Sequence, residues 1–117
     1  MIRFLSSLFN KPTQEAQPVA GHAAETSMNF DSENVRPFLE GLAPGTIDQG
    51  ALAVVDSAVG AMAVDETRDI VLNAQSGLQL QIYMDDIQAP DLYFFGPVEV
   101  IQYIDSALMA FANAMGL

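Results

Sequence analysis

Large apolar and polar positions change rhythm along this chain, and each change marks an element. Between Asp69 and Met84, DIVLNAQ and LQLQIYM alternate apolar and polar positions, the period-two pattern of strands with one buried face. A two-residue loop at Ser76-Gly77 would set Gln75 opposite Leu78 and Asn73 opposite Leu80, mixing amides into both faces. A three-residue loop at Gln75-Ser76-Gly77 sets Ala74 opposite Leu78, Leu72 opposite Leu80 and Ile70 opposite Ile82. It leaves Val71, Asn73, Gln79 and Gln81 on the other face. A one-residue slip would bury the amides, so the second register is expected, with Gly77 in the left-handed position of the loop.

The stretch DDIQAPD, residues 85–91, reads as a turn, and DLYFFG after it as a third strand with apolar residues on both faces. Such a strand is either buried on both sides or half in a dimer interface. Tyr83, Tyr93, Phe94, Phe95 and Tyr103 are read mainly as core, with an aromatic recognition strip as the alternative.

Two helices flank these strands. Thr46 and Gln49 form a capping-box pattern. Ile47, Ala51, Val54, Val55, Ala58, Val59 and Met62 then follow as one stripe. Gly50, Gly60 and the alanines thin this helix, which predicts close approach to a neighbour. Pro97 opens the last helix, whose buried face is expected at Val98, Ile101, Ile104, Ala107, Leu108, Phe111 and Met115, with Gly116 as its stop. Residues 30–45 allow one or two turns of helix before Pro44-Gly45. The predicted fold is α+β: α–β–β–β–α, a three-stranded antiparallel sheet covered on one face by two helices, occupying residues 30–117.

Two segments precede that domain. Residues 1–10 place Ile2, Phe4, Leu5, Leu8 and Phe9 at helical spacing around Arg3, Ser6 and Ser7, a short amphipathic segment. It is too short to span a bilayer, and the serines interrupt any secretory apolar run. Residues 11–29, rich in Pro, Ala, Gln and Thr, read as a flexible linker, and His22 falls within it.

Charge narrows the function. The 117-residue chain carries fifteen acidic and four basic side chains, a formal net charge of −11. Arg3 and Lys11 lie at the beginning, whereas every acid lies beyond Lys11, offset only by Arg36 and Arg68. An acidic body of this kind repels nucleic-acid phosphates, so no nucleic-acid partner is expected. Without Cys there is no thiolate nucleophile, disulfide or Cys-based zinc site. With no His in the domain and one Lys outside it, no activated nucleophile or phosphate cradle can be assembled from recognised patterns. Neither a metal nor a cofactor is expected. The nearest cation candidate, Asp85, Asp86 and Asp91, has Ile87, Ala89 and Pro90 where a calcium loop needs oxygen ligands and a glycine.

These features predict a cytoplasmic, non-catalytic protein-binding module of adaptor, chaperone-like or inhibitory type, for a partner with a basic or apolar surface. The expected contacts are Ile2, Phe4, Leu5, Leu8 and Phe9, entering a partner's groove, together with Asp85, Asp86, Asp91 and Tyr93. The amide face predicts strand pairing with a partner or a homodimer. The alternative reading places residues 1–10 on a membrane surface, with Arg3 and Lys11 at the headgroups. A carboxylate enzyme or divalent-metal binder is third.

Overall fold

A computed structural model describes residues 24–116. The fold is α+β, with three helices and a four-stranded antiparallel sheet. The elements run β1 (Ala24–Asn29), α1 (Ser32–Glu40), α2 (Ala51–Ala61), β2 (Thr67–Asn73), β3 (Leu78–Tyr83), β4 (Asp91–Gly96) and α3 (Val98–Met115). The strands lie in the order β1-β4-β3-β2.

The expected three strands are therefore four. The additional one, AETSMN, forms from the last part of the stretch read as linker and pairs with β4, Ala24 opposite Gly96 through Asn29 opposite Asp91. Its alternation is real, with Ala24, Thr26 and Met28 on one face and Glu25, Ser27 and Asn29 on the other. Only Met28 is a large apolar residue, so the period-two signal was faint. Residues 1–23, which hold the amphipathic segment and His22, lie outside the described residues.

Parity sorts the whole sheet. The core cluster draws only even-numbered strand residues, among them Ile70, Leu72, Leu80, Ile82, Leu92 and Phe94. The odd-numbered residues form the outer face. Helix α2 packs along β2, α3 along β1 and β4, and α1 leans on α2. Aromatic rings seal the centre: Phe38 of α1 lies 6.0 Å from Phe94 and 5.5 Å from Phe111 of α3, with Phe30 5.3 Å from Phe38. Val35, Phe38 and Leu39 anchor α1 firmly enough to hold Pro37 inside it despite the missing N–H.

The hairpin keeps the predicted faces and shifts the register. Ile70 sits opposite Leu80 and Arg68 opposite Ile82, with a bulge between Val71 and Asn73. Leu72 is the extra residue, and its carbonyl leaves the ladder to accept the Asp48 N–H at 2.7 Å. Ala74, expected opposite Leu78, falls in the turn and is exposed, and Gly77 adopts the expected left-handed conformation (φ 87°).

The same contacts correct the start of the helix predicted from Thr46, which begins at Ala51. Gly45 (φ 86°) and Gly50 (φ 94°) are left-handed and cannot continue a helix. Residues 45–48 are instead held to the hairpin, with Asn73 Nδ2 donating to the carbonyls of Gly45 and Thr46 and the Ala74 N–H donating to Asp48. Gly60 is not a close-approach site either, since a Cβ there would meet nothing within 4 Å. Met115, expected in the buried stripe, is exposed.

Candidate functional site

A four-stranded open sheet has two edge strands, and their treatment differs. On β2 the bulge bends the strand and one carbonyl is already taken by Asp48, a common way of blunting an edge. Strand β1 has no bulge in its pairing with β4. The Phe30 N–H donates to the Pro90 carbonyl at 3.0 Å, which fixes the phase of the antiparallel ladder. Even-numbered positions then face β4, and the backbone groups of Ser27 and Asn29 point outward.

Helix α3 runs beside that edge and makes a groove with it. The space, about 270 Å³, is lined by Thr26, Ser27 and Met28 of β1 and by Asp105, Leu108, Met109, Ala112 and Asn113 of α3. Its wall is mostly apolar, and Met109 stands 53% exposed beside it. One polar pair closes the floor. The hydroxyl of Thr26, itself fully buried, donates to Asp105 Oδ1 at 2.9 Å. Asp105 is the charged group of this groove, which gives it negative character. A second, shallower depression between α2 and β2 contains Val54, Ser57, Arg68 and Asp69, with Arg68 held by Glu66 at 3.0 Å.

The outer face of the sheet is the other surface of note. Its rows are Glu25–Phe95–Gln79–Val71, Ser27–Tyr93–Gln81–Asp69 and Asn29–Asp91–Tyr83–Thr67. Three acids, three amides and three aromatic rings share these rows, and no basic residue does. Gln81 donates to Asp69 at 2.9 Å, and Asn29 Nδ2 donates to Asp91 at 2.6 Å. The Tyr83 hydroxyl donates to Asp65 at 2.8 Å. That bond, with the negative charges of Asp65, Asp85 and Asp91 nearby, holds the Tyr83 phenol above its ordinary pKa. Glu66 is shifted the opposite way: the Ala63 N–H donated to its carboxylate, and then Arg68, lower its pKa.

The predicted contact residues divide. Tyr93 and Asp91 lie on the outer face, with Tyr93 at its centre. Asp85 and Asp86 are exposed in the β3–β4 connection, where Asp86 accepts the Gln88 N–H in a local turn. Among the described residues no three His, Cys, Asp or Glu side chains converge on a metal-binding geometry. Ile2, Phe4, Leu5, Leu8 and Phe9 lie outside the described residues. The groove residues of β1 were missed because the strand was missed. Asp105 stands outside the apolar stripe of its helix, and its bond to Thr26 spans 79 positions that no local pattern reveals.

No described helix is long and apolar enough to cross a membrane. Compared with family models, curated proteins and solved structures, the chain matches none of them.

Proposed function

We propose that this protein is a non-catalytic, acidic protein-binding module that receives an extended segment of a partner along β1. The observation that carries the reading is the edge of β1, which pairs with β4 without a bulge, beside an apolar groove on α3. Added strands gain backbone hydrogen bonds at such an edge, and alternate side chains enter the neighbouring pocket to supply selectivity. Leu108, Met109 and Ala112 suit an apolar side chain, while Asp105 and the chain's net charge of −11 favour a flanking Lys or Arg. Methionine at the rim lets the pocket adapt to side chains of different shape.

The same edge could pair with its own copy, which is how the homodimer expectation enters. The membrane alternative rests on residues 1–10 alone and gains nothing from the groove.

A phage-displayed library of random peptides, selected on the full chain, tests the proposal. Enriched peptides should alternate apolar residues and carry a basic one. Their binding should weaken roughly tenfold or more with Met109→Glu. Ser27→Pro removes an outward N–H without touching the β1–β4 ladder and should weaken them as well. No enrichment, or enriched peptides indifferent to both substitutions, would overturn the reading.

A further inference from the structure

The groove beside β1 differs along its length, and the fold fixes the order of the difference. Strand β4 runs antiparallel to β1, and α3 returns from β4 through Pro97, so α3 runs in the same direction as β1. Two contacts set the alignment. Thr26 meets Asp105 at 2.9 Å, and Phe30 lies 5.9 Å from Phe111, further along both elements. Asp105 therefore stands at the level of Thr26, and Leu108 and Met109 stand at the level of Met28. The groove is acidic at the first level and apolar at the second. Thr26 takes Oδ1 of Asp105, which leaves Oδ2 to accept from a further donor.

We infer, building on β1 as the receiving edge, that the segment it takes enters antiparallel to β1 and is read in one order: an apolar side chain, any residue, then a lysine or arginine. The outward backbone groups of β1 belong to its odd-numbered residues, Ser27 and Asn29 among them, so an antiparallel partner exchanges hydrogen bonds with these. Thr26 and Met28 then sit in the non-hydrogen-bonded pairs, where facing side chains stand closest and share one face of the sheet. That face is the one α3 flanks.

Two partner positions, two residues apart, therefore enter the groove. One lies opposite Met28, beside Leu108, Met109 and Ala112, and the other lies opposite Thr26, beside Asp105. The residue between them points to the outer face, away from the groove. Antiparallel entry continues the pattern of the sheet, whose three strand pairs are all antiparallel, and gives the more stable ladder. In that direction the residue opposite Met28 comes first, which sets the order.

Charge selects the second side chain. An ammonium or guanidinium beside Asp105 gains a charge-assisted hydrogen bond. An acid there would oppose both Asp105 and a chain of net charge −11. A second copy meets the requirement poorly. Pairing β1 with β1 about Ser27 sets Thr26 opposite Met28 and Glu25 opposite Asn29, and AETSMN offers no basic side chain to Asp105.

Fluorescein-labelled peptides test the order on the full chain by anisotropy. Each has flanking threonines and one of three centres: Leu-Thr-Lys, Leu-Thr-Gln or Lys-Thr-Leu. The Leu-Thr-Lys peptide should bind roughly tenfold more tightly than either of the others. Asp105→Asn keeps an oxygen for Thr26 and removes the charge, so the advantage of Lys over Gln should fall to about unity. Three peptides that bind alike and all weaken with Ser27→Pro would overturn the order and leave β1 as the receiving edge. A preference for Lys-Thr-Leu, or a Lys advantage that survives Asp105→Asn, would do the same. No binding by any of the three at millimolar concentration would overturn the receiving edge itself, and the order with it.

Discussion

Phe94 and Phe95 are consecutive in β4 and belong to different halves of the molecule. Phe94 has no exposed surface and meets Phe38 edge-on in the helix-covered core. Phe95 points the other way, between Glu25 and Gln79, among amides and carboxylates. The covered face is apolar across its width. The outer face combines aromatic rings with acids and amides.

The largest effect expected from this comparison is a difference between two truncations. Phe94→Ala removes a fully buried ring and should cost about 3–5 kcal/mol in urea unfolding. Phe95→Ala should cost less, because the polar outer face offers fewer close-packed contacts. Equal losses for the two phenylalanines would break the distinction between the faces.

A smaller effect is expected at the one polar side chain buried on the covered face. Thr26 is enclosed between β1 and α3, and its hydroxyl satisfies Asp105. Thr26→Val keeps the shape and removes the donor. It should cost about 1–2 kcal/mol, because an acceptor is left short of its partner. Thr26→Ser should restore most of that loss. If Val is as stable as Thr, the contact does not hold β1 to α3, and the groove there is held by apolar packing alone.

The two faces also explain how much of this fold was legible in the sequence. Burial patterns identify which side chains point inward, and shifting an antiparallel register by two residues leaves that pattern intact. The alternation of β2 and β3 therefore predicted the faces correctly and could not distinguish Leu72 opposite Leu80 from the observed Ile70 opposite Leu80. The bulge that makes the difference is set by the Asp48 N–H reaching the Leu72 carbonyl, a contact between segments far apart in the chain. The same contacts defeated the Thr46–Gln49 capping signal, since the backbone of residues 45–48 bonds to the hairpin instead of starting a helix. Strand β1 was hidden by composition: Thr26 and Ala24 are inward-facing without being large. Of the candidate surfaces, Tyr93, read mainly as core, and Asp91, read as part of a turn, fall on the outer face of the sheet, whereas the groove required knowing that α3 returns beside β1.

The smallest expected effect lies at the far end of the outer face and is read by pH. Tyr83 donates its hydroxyl to Asp65 and faces the further negative charges of Asp85 and Asp91, so its pKa in the folded chain lies above the unfolded value. Folding thus favours the protonated phenol. The contribution is fully present below the unfolded pKa of about 10 and is lost as pH rises through the higher folded value. Asp65 occupies a left-handed conformation (φ 73°) that asparagine tolerates, so Asp65→Asn removes the charge without straining the turn. Tyrosinate absorbance, referenced to Tyr83→Phe, should show Tyr83 ionising at lower pH in Asp65→Asn than in the parent chain. The alkaline loss of stability should shrink with it. An unchanged titration would mean that the hydroxyl does not stay on Asp65 in solution, leaving the backbone bonds of Met84 with Asp65 and Glu66 to hold the turn before β2 to the end of β3.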